Sequence, residues 1–269
     1  MRKCVFYELN QDYKDGCLVS VKSLLNHNDI DVFVYCINFI DVDFENKLKQ
    51  ISSKINVVFY NVKTDLKCVG GFNSFIDVIS AKFLIFNELL KKYDSVLFLD
   101  CDVLIRKNLS EIFENKNGIY GCNDSLENVF ISKYRKTFFR KFKSNIKSYI
   151  NAGFVLVNNY TFDINQYKEI IRKYSFYYPE QDYLNMLDHK VLDIKYCGNH
   201  YCSKKILETD FYAFHYFGDE KPFRFIEKLE YIQKIKYIEE YFNVTNSIKH
   251  LLTERFISNV ERNFRLYPN

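Results

Sequence analysis

The chain has 269 residues, with 38 basic and 34 acidic side chains and a formal net charge of +4 that is too small to point to nucleic acid by itself. Its length admits one large domain or two small ones, and three prolines and eight glycines, none gathered between two halves, argue against a linker. No stretch nears the roughly 18 apolar residues that cross a bilayer, and the opening MRKCVFYELNQDY turns polar after a strand-length run, so no membrane span or signal peptide is expected. In chain order, strands are predicted at 3–9, 31–38, 55–61, 95–99, 118–122, 152–158 and 211–217, with helices at 15–27, 42–53 and 75–92. Such alternation predicts an α/β fold: a mainly parallel sheet flanked by helices, with the apolar stretch 96–99 as a central strand buried on both faces. From 224 onward the pattern is helical. We therefore expect one domain over 1–223 and a helical C-terminal extension, 224–269, packed on it. The extension carries eight basic residues and six glutamates, a balance that favours packing or a homodimer contact over membrane anchoring.

VLFLDCDVLI, residues 96–105, ends the central strand in two acids, Asp100 and Asp102. Two buried, unpaired carboxylates would be costly by several kcal/mol. In open α/β sheets ligands bind beyond the carboxyl ends of the strands, where two acids can share a hard divalent cation and lose their repulsion. One acid at a strand end is commonly a cap or turn residue; the spaced pair points instead to a divalent cation with a phosphate ligand. No G-x-G-x-x-G follows the first strand and no G-x-x-x-x-G-K-[ST] occurs, so a diphosphate would be held by the metal and basic side chains. The eight scattered cysteines suggest reduced thiols in a cytoplasmic setting. Cys197, His200 and Cys202 in CGNHYC lack a fourth zinc ligand and are read as ordinary packing.

Five segments, in order, carry a resemblance: NQDYKDGCLVSVKSLLNHN (10–28), YDSVLFLDCDVLI (93–105), YINAGFVLVNN (149–159), PEQDYLNML (179–187) and HYFGDEKPF (215–223). Together they resemble glycosyltransferase family 8, which comprises retaining glycosyltransferases. The resemblance implies a GT-A type, Rossmann-like fold and a Mn²⁺-dependent enzyme (or one using another divalent cation) with a UDP-sugar donor. It implies that Asp100, Asp102 and His215 hold the cation, which in turn holds the donor diphosphate. Lys221 would place a point charge near the same phosphates, and Gly218 would let the backbone approach. Lys82 stands where relatives often carry an arginine of the phosphate clamp, keeping charge without bidentate geometry. Asn10 and Tyr13 would meet uracil, by an amide and a stacking ring. Asp124, Asn151, Glu180, Gln181 and Asp182 would meet the sugar, whose hydroxyls suit amides and carboxylates. Glu180 departs from the family's usual Asp, so the hexose is left open between glucose and galactose. Gln181 matches the glutamine that the family sets below the anomeric carbon. It is a poor nucleophile, which favours front-face displacement over a covalent intermediate.

The acceptor expected is a hydroxyl group on a glycan or glycolipid; nucleic acid is not expected as a partner. ISKYRKTFFRKFKSNIKSYI (131–150) has seven basic residues, no acid, and aromatic or apolar residues Tyr134, Phe138, Phe142 and Ile146 every fourth position. It reads either as a surface helix with a packed face or as a contact for anionic acceptor or anionic membrane, so peripheral membrane association stays open. Two alternatives remain beside the transferase: a catalytically weak nucleotide-sugar-binding protein of the same fold, and a glycogenin-like self-glucosylating initiator. Tyr196 and Tyr201 are the acceptors that the second would need, though neither matches the glycogenin acceptor segment, and we expect against it.

Overall fold

The computed structural model describes residues 1–67, 75–124, 148–174, 176, 178–199, 209–218, 221–225 and 236–266. Along the chain, β1 (Lys3–Leu9), α1 (Lys14–His27), β2 (Asp31–Ile37), α2 (Val42–Ile51), β3 (Ile55–Tyr60), α3 (Ile76–Leu89) and β4 (Ser95–Leu99) build a βαβ progression. β5 (Val103–Ile105), β6 (Gly118–Asn123), β7 (Ile150–Asn158), α4 (Ile164–Lys173), α5 (Pro179–Met186) and β8 (His189–Val191) follow. The described chain closes with β9 (Gly198–Asn199), β10 (Ala213–His215), α6 (Ile238–Ser247) and α7 (Glu254–Arg265). Helix starts are marked by polar caps: Asp41 accepts from Phe44 N at α2, and Asp163 from Gln166 N at α4.

Seven strands form the main sheet in the order β3-β2-β1-β4-β7-β6-β8. β3, β2, β1 and β4 run parallel, and β7 is antiparallel to both its neighbours. Period-two alternation sends Val5, Tyr7, Leu97, Leu99, Phe154 and Leu156 into one core with α1 and α2. Cys4, Phe6, Val96, Phe98, Val155 and Val157 enter the other core, with α3, α4 and α5. Both faces are thus covered, as the continuous apolar strands foretold.

The boundaries differ from expectation where turns intervene. The helix predicted over 75–92 ends at Leu89, and Lys92 N and Tyr93 N return to Leu89 O at 2.9 Å to turn the chain into β4. The strand expected at 211–217 shortens to Ala213–His215 in a second, three-stranded sheet, β5-β10-β9. In the extension, α6 and α7 lie in the expected helical region, while 226–235 falls outside the described residues. So do most of the basic stretch 131–150, His200, Tyr201 and Cys202. Among the described residues no helix is long and apolar enough to cross a membrane. The six described cysteines are buried thiols.

Candidate active site

The antiparallel joint between β4 and β7 builds the site. Leu99 pairs with Phe154, and Asp100 N donates to Gly153 O at 2.9 Å, so the carboxyl end of β4 meets the amino end of β7. After Asp102 the chain enters β5, which pairs antiparallel with β10 in a register that sets His215 opposite Val103. Tyr216 N donates to Asp102 O at 3.0 Å and closes the contact. A histidine more than a hundred residues away is thereby delivered to the two acids. His215 Nε2 lies 3.0 Å from Asp102 Oδ1 and 3.3 Å from Asp100 Oδ2. Lys221 Nζ contacts Asp102 Oδ2.

These residues fit a divalent cation. One ligand atom from each of Asp100, Asp102 and His215 falls within 4.8 Å of the others. Asp102 Oδ1 and His215 Nε2 are both buried without a well-formed hydrogen bond, although they face each other. Oxygen and imidazole donors together suit Mn²⁺ and its neighbours. A Cβ on Gly153 would collide with His215 and Asp100, so the cradle needs glycine at that point. Burial works against charge here, yet Lys221 and His215 outweigh it and hold the Asp102 carboxyl well below the usual range. Burial likewise opposes a charged His215, but Asp102 and Asp100 beside it push the imidazole up to about 9. Without a cation, this corner draws positive charge from its own side chains.

Of the other expected polar residues, Asp124, Asn151, Gln181 and Asp182 are hydrogen-bonded around the start of β7, while Glu180 Oε2 is buried without a hydrogen bond. Asn151 Nδ2 donates to Asp124 Oδ1 at 2.7 Å, while Asn151 Oδ1 accepts from Gly153 N at 2.8 Å. In the first turn of α5, Gln181 Oε1 accepts from Ala152 N at 3.0 Å and Asp182 Oδ1 accepts from Tyr149 OH. Pro179 at the first helical position starts that turn with a fixed φ and no amide to satisfy. Asn185, one turn further, accepts from Ile150 N at 2.8 Å and donates to Ile150 O at 2.9 Å, copying a strand partner. Sequence reading missed Asn185; its spacing of four from Gln181 was the available signal.

Lys82 is fully buried. Its ammonium donates to Ala152 O at 3.2 Å, lies 3.7 Å from Glu8 Oε1, and sits 4.0 Å from the centre of the Phe98 ring. Glu8 was not singled out from the sequence, although an acid on the strand face shared with Cys4 and Phe6 breaks an apolar pattern. Burial pushes Glu8 well above the ordinary glutamate range, with Lys82 offsetting only part of it. Glu180 is raised for the same reason and with the same partial relief from Lys82. On the opposite side, Asn10 Oδ1 accepts from Asp12 N at 3.1 Å and caps the short 3-10 turn that presents Tyr13. The Tyr13 ring lies 5.7 Å from Lys221 Nζ, and its hydroxyl accepts from Arg224 at 3.3 Å. Gly218 has φ of 86°, a left-handed backbone that a side chain would strain. Tyr196 is buried and packs edge-on against Tyr212.

The sequence profile of glycosyl transferase family 8 matches residues 4–227. The chain belongs to that family. It is 26% identical over 215 residues to the lipopolysaccharide 1,2-glucosyltransferase of Escherichia coli, covering 71% of this chain but only 61% of that enzyme. Glycosyltransferase GlyA of Streptococcus pneumoniae serotype 4 is 25% identical over 243 residues, 83% of this chain and 32% of GlyA. The chain thus spans less than two thirds of both relatives. Among solved structures, galactosyltransferase LgtC, determined with donor and acceptor sugar analogs, superposes with a TM-score of 0.69 at 18% identity, over 96% of this chain and 99% of LgtC. The fold of this family 8 member is therefore the GT-A fold, with its parallel half-sheet leading into the Asp-x-Asp corner.

Proposed function

We propose that this family 8 chain is a divalent-cation-dependent, retaining hexosyltransferase that moves glucose or galactose from a UDP-sugar to a hydroxyl of a glycan or glycolipid. The observation that carries this reading is the convergence of Asp100, Asp102 and His215 beside a glycine that nothing larger could replace. These three side chains would hold the cation, Mn²⁺ by the donor set. When bound, it would supply positive charge to the diphosphate and so favour departure of UDP.

The chain's own groups do the rest in this reading. Lys221 gives the diphosphate a second positive charge, and the left-handed turn at Gly218 lets a backbone lie close to it. Tyr13 stacks on uracil, with Asn10 addressing its edge. Asp124, Asn151, Glu180, Gln181 and Asp182 orient the hexose hydroxyls. Gln181 Oε1 already accepts from Ala152 N, and a carboxamide is a weak nucleophile, so the acceptor oxygen attacks from the face that UDP leaves. The departing phosphate oxygen takes the acceptor's proton.

Thermal melting with UDP, UDP-glucose, UDP-galactose and non-uridine nucleotide sugars, each with and without Mn²⁺, tests the reading. UDP near 100 times its Kd should add about 2.7 kcal/mol of stability, and only when Mn²⁺ is present. Gly153→Ala should abolish the Mn²⁺-dependent stabilisation. Absence of stabilisation by every uridine nucleotide, with or without cation, would sink the proposal.

A further inference from the structure

Lys221 and Arg224 belong to a short turn, 221–225, whose backbone belongs to neither sheet. Arg224 N donates to Lys221 O at 3.1 Å, but the carbonyls that follow Lys221 need partners from elsewhere. The partners come from α7. Asn263 Nδ2 donates to Pro222 O at 2.8 Å and to Arg224 O at 2.9 Å, and Asn259 Nδ2 donates to Phe223 O at 3.0 Å. Three consecutive carbonyls are thus held by two amides spaced four residues apart on one helix face. Asn263 is fully buried, an unusual place for an amide. Between these bonds the Phe223 ring stacks on Phe256 of α7, 5.2 Å centre to centre with planes 18° apart, and lies 6.2 Å from Tyr241 of α6.

The helix is itself tied to the base side of the site. Thr253 caps α7 through Phe256 N and donates to Asp15 on α1, two residues beyond Tyr13. α7 therefore spans from the loop that presents Tyr13 to the turn that presents Lys221. Both asparagines lie beyond residue 227, where the family profile ends. Nothing in the family match assigns them a role.

We infer that α7 is a latch for the donor site, with Asn259 and Asn263 as positioning residues. They fix the backbone of 222–224 and through it aim the Lys221 ammonium at Asp102 and the Arg224 guanidinium at Tyr13. The inference rests on the nucleotide-sugar reading above, because what the latch positions is Lys221, which would meet the diphosphate, and Arg224, which bonds the Tyr13 that would meet the base. It makes these two asparagines of the C-terminal extension, and not the helix as a whole, part of the binding machinery. A separate module packed behind the site would be expected to make no hydrogen bonds to the turn that carries them.

The test compares UDP affinity, measured by calorimetry in Mn²⁺, with melting temperature for wild-type protein, Asn263→Ala, Asn259→Ala and Val260→Ala. Val260 is a fully buried α7 residue that belongs to the apolar core, so its truncation loosens the helix without removing a bond to the turn. On the latch reading Asn263→Ala, which removes two hydrogen bonds, weakens UDP about tenfold, and Asn259→Ala, which removes one, about threefold. Val260→Ala lowers the melting temperature and leaves UDP affinity at the wild-type value. If Asn259→Ala and Asn263→Ala also only lower the melting temperature, α7 is a structural buttress and the latch is overturned. Wild-type protein that takes no UDP overturns the donor reading, and the latch falls with it. Wild-type binding that survives both substitutions overturns the latch alone.

Discussion

Two halves of the cleft use similar side chains and bond them to different degrees. Where the sugar is proposed to lie, Asn151, Gln181 and Asp182 bond Asp124, Ala152 N and Tyr149 OH, and Asn185 bonds Ile150, while Glu180 Oε2 is buried without a hydrogen bond. In the corner formed by Asp100, Asp102 and His215, buried oxygen and nitrogen atoms face each other without a good hydrogen bond. A lattice of satisfied amides is rigid before any ligand arrives. Two carboxylates that converge on an imidazole are instead a demand for positive charge, answered within the chain by Lys221 and by the raised basicity of His215. On the proposed function, the first half holds a shape and the second receives a cation.

The strongest way to break this contrast is Asp102→Asn. The substitution removes a ligand and also leaves Lys221 and His215 without their closest carboxylate, which is a costly state for buried cations. Sugar transfer should fall about 10³-fold or more, since several kcal/mol of leaving-group stabilisation are lost. Mn²⁺ should no longer raise the melting temperature. Full Mn²⁺ stabilisation in the variant would show that the corner is an ordinary ion-pair cluster.

Asn185→Ala should break the other half alone. It deletes both bonds to Ile150 and a third to Gln181 O, leaving buried backbone groups unsatisfied at a cost of about 2–3 kcal/mol. We expect a lower melting temperature and slower transfer, with Mn²⁺ still tightening UDP as in the wild type. Loss of the metal effect together with the stability would mean that the halves behave as one.

How much of this was readable without coordinates depended on how local each signal was. Asp100 and Asp102 announce themselves because an apolar run stops in two acids, and β1 to β4 do so through alternation. Tertiary pairing left no such mark. Val103–Ile105 reads as the tail of β4, and only its antiparallel pairing with β10 turns it into a separate strand that carries His215 to Asp102. His215 was found through a family resemblance, since a histidine inside FYAFHYF has no local pattern that distinguishes it from core. Gly153 lay inside the matched strand segment, but the reason for it is a collision with two side chains from elsewhere in the chain, His215 on β10 and Asp100 just past β4. Asn259 and Asn263 were invisible for a plainer cause: polar residues at helical spacing normally mark a solvated face, and here that face is turned onto a backbone. Glu8 was legible, as a lone acid on an apolar strand face, and was passed over.

Glu8 supplies the smallest and most discriminating test. Its carboxyl, raised by burial and only partly relieved by Lys82, is also faced by Asp100 and Glu180, and both like charges push it the same way. A carboxyl whose folded value lies above its unfolded one stabilises the fold fully below the ordinary glutamate range. That contribution is lost as pH rises through the raised value. Glu8→Gln keeps the shape and removes the titration. Near pH 4 the two proteins should therefore melt alike. Above the ordinary glutamate range the wild type should lose about 1.4 kcal/mol relative to the variant for each further pH step of one, until the folded carboxyl ionises. Because Lys82 donates to Ala152 O as well as facing Glu8, the variant should leave the sugar-side lattice in place and keep transfer within a few-fold of wild type. A wild-type advantage that grows with pH would reverse the sign, and would mean that Glu8 is held as a charged partner of Lys82 inside the core.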